Sequence, residues 1–94
     1  MPRLKPGERE ERRRIVRAVI SGNKERYGVD DAALATQSGV TDRTLRSRRD
    51  DPGMYRLEEL WALAKELRFT PLQAASIVLG RDLTAKEIKD FILM

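Results

Sequence analysis

The sequence predicts an all-α protein, a bundle of five helices with an additional helix at the C-terminus. Three observations predict it. Apolar residues recur at helical spacings, as in Leu57, Leu60, Trp61, Ala64 and Leu67. Capping residues, early prolines and terminal glycines punctuate the chain at short intervals. No segment alternates apolar and polar residues with the period of two that a strand requires.

Met1 to Gly7, with two prolines and a glycine among polar residues, reads as a disordered arm. Residues 8 to about 27 favour helix, with Ile15, Val16, Val19 and Ile20 as one stripe. Gly22 and Asn23 weaken its second half, and Gly28 stops it. Asp30 or Asp31 caps a short second helix, residues 32–38, with Leu34 and Ala35 inward and Gly39 at its end. Thr41 caps a third, residues 42–49, anchored by Leu45. Asp50-Asp51-Pro52-Gly53 is a turn. The fourth helix carries the Leu57–Leu67 stripe to near Phe69, and the spacing of Trp61 and Phe69 predicts that both fill the core. Thr70-Pro71-Leu72-Gln73 opens a fifth helix that ends at Gly80. Thr84-Ala85-Lys86-Glu87 opens a sixth, with Ile88, Phe91 and Ile92 on one side. The expected organisation is an arm (1–7), a domain (8–80) and a C-terminal helix (81–94) that packs on the domain or dimerises.

Composition narrows the function. Ninety-four residues make one small domain with a marginal core. Without Cys or His there is no disulfide, no thiolate metal site and no Ser-His-Asp triad. Paired catalytic carboxylates, glycine-rich phosphate loops and metal-ligand clusters are not found. No enzyme, cofactor or small-molecule substrate is expected. No apolar run reaches the roughly 18 residues that span a bilayer. Residues 1–14 lack the apolar stretch of a secretory signal, so a cytoplasmic location without a membrane partner is expected. The net charge of +4 is unevenly spread. Residues 1–28 carry nine Lys/Arg against four acids, residues 29–51 four against five, and residues 52–94 six of each. Arg43, Arg46, Arg48 and Arg49 form a local cluster in the acidic middle. A lopsided positive charge suits a polyanion.

The stretch from Asp30 to Asp50, DDAALATQSGVTDRTLRSRRD, carries the chemistry. Leu34-Ala35, Ser38-Gly39-Val40-Thr41, Thr44-Leu45 and Pro52 stand in the order and spacing of a helix-turn-helix, followed by Leu57-Glu58-Glu59-Leu60 with Ala64 and Leu67. Over residues 12 to 80 the chain resembles the Cro/repressor-type, lambda-repressor-like (XRE) family of DNA-binding domains. The resemblance implies a five-helix helix-turn-helix bundle, double-stranded DNA as partner, and a transcription regulator of phage or mobile-element type; members of that family often form homodimers, which the C-terminal helix serves here unless it packs on its own domain.

With Leu45 inward, Arg43, Ser47 and Asp50 point nearly opposite and Arg46 lies at the flank. Arg43 and Arg46 are the candidates to read guanine, Asp42 to accept from a cytosine amino group, and Ser47 is a weaker base contact. Candidate phosphate contacts are Arg12, Arg13, Arg14, Thr36, Gln37, Arg48 and Arg49. Arg48 and Arg49 lie nearer the core face, so their stems are expected to pack and their heads to reach phosphates or acids. The chain departs from the family pattern at Asp31, where glutamine is usual; paired aspartates suit a helix N-terminus but repel phosphate. The alternative reading is a protein-interaction module, antitoxin-like or adaptor, on the same fold.

Overall fold

The computed structural model describes residues 6–92, with side chains from 7 to 90. Six α-helices and no strand are found among them: α1 (Pro6–Tyr27), α2 (Asp31–Ser38), α3 (Asp42–Asp50), α4 (Leu57–Glu66), α5 (Pro71–Leu79) and α6 (Ala85–Ile92). The turn after α3 is a 3-10 turn, Pro52–Met54. No helix among the described residues is long and apolar enough to cross a membrane.

The expected caps are in place. Thr41 Oγ1 accepts from Thr44 N at 3.1 Å. Thr70 and Gln73 form the reciprocal box that opens α5, and Thr84 and Glu87 do the same for α6. Asp30, not Asp31, caps α2, accepting from Ala33 N at 2.8 Å. Gly39 ends α2 at φ 75°, in the left-handed region that residues with a Cβ avoid, and Val40 N then donates back to Ala35 O.

The core gathers Ile20, Leu34, Ala35, Leu45, Leu63 and Leu67, with Val16, Val29, Val40, Tyr55 and Phe69 packed around it. Leu34, Leu63 and Leu67 have no more than 2% of their surface exposed. α2 lies against α3 and α4, and α1 against α5. Two short polar helices thus owe their place to a few leucines, since helices of eight or nine residues do not persist alone.

Four expectations need correction. Pro6 and Gly7 belong to α1, not to an arm; proline suits a first turn, whose N–H groups lack partners anyway. The rest of the expected arm, residues 1–5, lies outside the described residues. α4 ends at Glu66, because Arg68 turns into the left-handed region at φ 53° and Phe69 N bonds back to Ala64 O. Trp61 is not in the core: 63% of it is exposed. α4 carries two overlapping apolar stripes, and the bundle takes the one containing Leu63 and Leu67. Trp61 stands two residues from Leu63, about 160° round the helix, and so cannot share that side.

The fourth correction is Asn23, which does not weaken α1. Its side chain is buried, and its Nδ2 donates to Leu67 O and to Gln73 Oε1, both at 2.9 Å. Gln73 Nε2 returns a bond to Asn23 Oδ1 at 3.0 Å. This amide pair ties α1 to the end of α4 and the start of α5. Asn23→Ala strands the Leu67 carbonyl and half of the Gln73 amide. Urea unfolding should show a loss of about 1–3 kcal/mol; a loss under about 0.5 kcal/mol would mean the pair adds nothing.

Candidate nucleic-acid interface

α3 is a polar helix, Asp-Arg-Thr-Leu-Arg-Ser-Arg-Arg-Asp, held by a single buried residue, Leu45. Its burial pattern follows from that anchor. Asp42, Arg43, Arg46, Ser47 and Asp50 are exposed, while Thr44, Arg48 and Arg49 are half-buried. The side chains proposed for base contact therefore share the outer side of one helix.

The four arginines of the cluster divide into two pairs. Arg48 Nε donates to Glu59 Oε1 at 3.0 Å, fastening α3 to α4. Arg49 Nη1 donates to Asp31 Oδ2 at 3.2 Å, fastening α3 to α2. Of the two partners expected for these heads, phosphates or acids, acids are what they meet here. Arg43 and Arg46 have no ion pair or hydrogen bond among the described residues. Burial raises the Glu59 pKa, but the Arg56 N–H and the Arg48 guanidinium outweigh it and leave the group below its ordinary value.

Asp31 is tied into the fold from two sides. Besides Arg49 it meets the ammonium of Lys24, so one carboxylate joins α1, α2 and α3. Its charge is thereby balanced inside the fold. The Lys24 hydrogen bond, against a smaller opposing effect of burial, holds its pKa below the usual carboxylate range. A depressed folded pKa contributes stability that is present above the unfolded value, about 3.9, and is lost as pH falls through the lower folded value. Asp31→Asn should accordingly flatten the acid limb of the stability curve below about pH 4, and cost at most about 1 kcal/mol at neutral pH because the site is partly exposed. An unchanged acid limb in thermal melts would remove Asp31 as the tie.

The arginines Arg12, Arg13 and Arg14 of α1 point in different directions and lie against different neighbours. Consecutive residues point about 100° apart. Arg13 meets Asp51 at 3.3 Å, and Arg14 meets Glu11 at 3.4 Å. The stem of exposed Arg12 lies over Gly80, so close that a Cβ there would fall 2.8 Å from its Cγ. Thr36 and Gln37 are exposed on α2, and Thr36 Oγ1 donates to Ala32 O at 3.0 Å.

Arg17 is the site-building residue that sequence reading misses. Its Nε donates to Arg49 O and its Nη2 to Asp50 O, both at 3.0 Å, while Nη1 meets Glu10 at 2.8 Å. α3 lacks a terminal glycine, so this cation satisfies its last carbonyls and sits at the negative end of the helix dipole. Nothing in the sequence pairs positions 32 and 33 residues apart.

Comparison with protein-family models, with curated proteins and with solved structures finds no significant match to this chain.

Proposed function

We propose that this chain is a sequence-reading, double-stranded-DNA-binding domain of lambda-repressor-like helix-turn-helix type that acts in transcription regulation. The observation that carries the reading is the division of the α3 arginines. Two are spent on holding α3 to α2 and α4, and two stand on its outer side with no partner among the described residues. An unneutralised pair of guanidinium groups on a projecting helix suits a groove lined with guanine O6 and N7 acceptors.

In this reading α3 lies in the major groove. Arg43 and Arg46 read guanine, Asp42 in the first turn accepts from a cytosine amino group, and Ser47 adds a weaker contact. Gln37 and Thr36 are the phosphate contacts on α2, with Gln37 the better donor because the Thr36 hydroxyl is already used. Arg48 and Arg49 position α3 and need not touch DNA.

Selection from a random duplex pool, followed by salt titration on selected and random DNA, tests this. The expected result is a defined site bound about 10³-fold or more tightly than random sequence, with affinity falling as salt rises. Salt-dependent binding without sequence preference would replace this with a general DNA-coating role. Binding to no DNA would replace it with the protein-interaction reading.

A further inference from the structure

A groove of about 440 Å³ runs between α1, the 3-10 turn, α4 and α5. Its apolar surface comes from Val16, Leu60, Ile77, Val78 and Leu79. Val78 and Leu79 are 80% and 53% exposed, so this surface meets water. Arg12 and Arg13 of α1 also line the groove, and among the described residues no Asp or Glu does. An open apolar groove edged by charge of one sign suits a partner that brings apolar side chains and the opposite charge.

The basic edge follows from the spacing of α1. Arg9, Arg12, Arg13 and Val16 recur at i, i+3, i+4 and i+7, so they share one side of the helix. The acids of the same stretch fall elsewhere. Glu10 pairs with Arg17 and Glu11 with Arg14, and Glu8 lies roughly 90° round the helix from the middle of the ridge. Arg9 and Arg12 are exposed and have no ion pair among the described residues. Arg13 meets Asp51 at 3.3 Å, so the carboxylate beside Pro52 and Gly53 is already balanced. The stem of Arg12 crosses the end of α5, where Gly80, at φ 71°, both stops the helix and leaves room for that stem.

We propose that this groove docks an acidic amphipathic segment of another protein, in which a large apolar side chain stands within a helical turn of two or more carboxylates. The apolar side chain lies against Leu60, Ile77 and Val78, and the carboxylates meet Arg12 and Arg9. Charge complementarity selects this occupant. The C-terminal segment of the chain itself, residues 85–94, carries two lysines against two acids, so the ridge does not favour a second copy of it. Duplex DNA brings phosphates for the arginines but no apolar side chain for Leu60 and Val78. A small organic anion needs a site that covers most of its surface, and walls as exposed as Val78 and Leu79 do not cover it. A segment of chain can lay one side along an open groove. The groove shares no residue with the outer side of α3, so the proposal stands apart from the DNA reading.

Panning the full chain against a displayed library of random dodecapeptides tests this. The expected winners share a Leu, Ile or Phe close to two or more Asp or Glu, and a fluorescein-labelled synthetic copy binds with a dissociation constant in the micromolar range. Arg12→Glu and Val78→Asp, both at exposed positions, should each raise that constant about tenfold or more with unchanged circular dichroism. A copy of the peptide with lysine in place of its acids should lose binding to the wild-type chain and regain part of it with Arg12→Glu. No winner, winners without acids, or a peptide indifferent to both substitutions overturns the proposal. If Arg12→Glu weakens only a mixed-sequence duplex and not the peptide, the ridge belongs to DNA and the proposal fails. It fails too if the chain alone forms a dimer that Val78→Asp dissociates, because a second copy then fills the groove.

Discussion

Alanine in place of Leu45 is expected to destabilise the protein by about 2–4 kcal/mol, a large part of the roughly 5–10 kcal/mol that a domain of this size holds. Leu45 is 7% exposed and is the only buried residue of α3. Its removal leaves a cavity beside Leu34 and Leu63 that the small Ala35 cannot fill. The same truncation at Trp61 should cost the monomer far less, because most of that side chain already meets water. Chemical unfolding of the two variants tests the pair. A Leu45→Ala protein that unfolds like wild type, or a Trp61→Ala protein that loses as much as Leu45→Ala, would contradict the described core.

The second large effect is on binding. On the selected duplex, Arg43→Ala and Arg46→Ala should each cost about 1–3 kcal/mol, and much less on random DNA, because a bidentate contact to guanine distinguishes sequences and a phosphate contact does not. Neither change should alter stability, since neither side chain has a partner inside the fold among the described residues. Arg48→Ala should behave in the opposite way. It deprives Glu59 of its guanidinium and loosens α3 from α4, so its loss appears in unfolding as well as in binding. Equal losses for Arg43→Ala on both DNAs would demote Arg43 to a phosphate contact.

Much of this architecture is legible in the sequence because its signals are local. Thr41, Thr70 and Thr84 mark helix starts through side chains that reach three residues ahead, and Gly39 and Gly80 mark ends through backbone freedom. Leu34, Ala35 and Leu45 are legible as core because each short helix offers little else to bury. The outward placement of Arg43, Arg46 and Ser47 follows from that anchor by helix geometry alone.

What the sequence hides depends on partners far along the chain. Arg17 looks like one more cation on a charged helix until the end of α3, 32 residues on, is laid against it. Asn23 looks like a helix breaker until the Leu67 carbonyl, 44 residues on, claims its amide. Asp31 reads as a departure from a phosphate-binding pattern, and its role as a three-helix tie appears only when Lys24 and Arg49 converge on it. α4 misleads for a different reason. It is apolar over two stripes, and periodicity within one helix does not say which stripe the rest of the bundle selects.

The central claim is that the outer side of α3 reads DNA. Titration of isotope-labelled protein with the selected duplex, followed by amide and side-chain NMR shifts, tests it most directly. The largest changes are expected at Asp42, Arg43, Arg46 and Ser47, with smaller ones at Thr36 and Gln37, while Trp61 and Val78 on the α4–α5 side stay still at fixed oligomeric state. Changes centred on Trp61 and Val78, with α3 silent, would contradict the account.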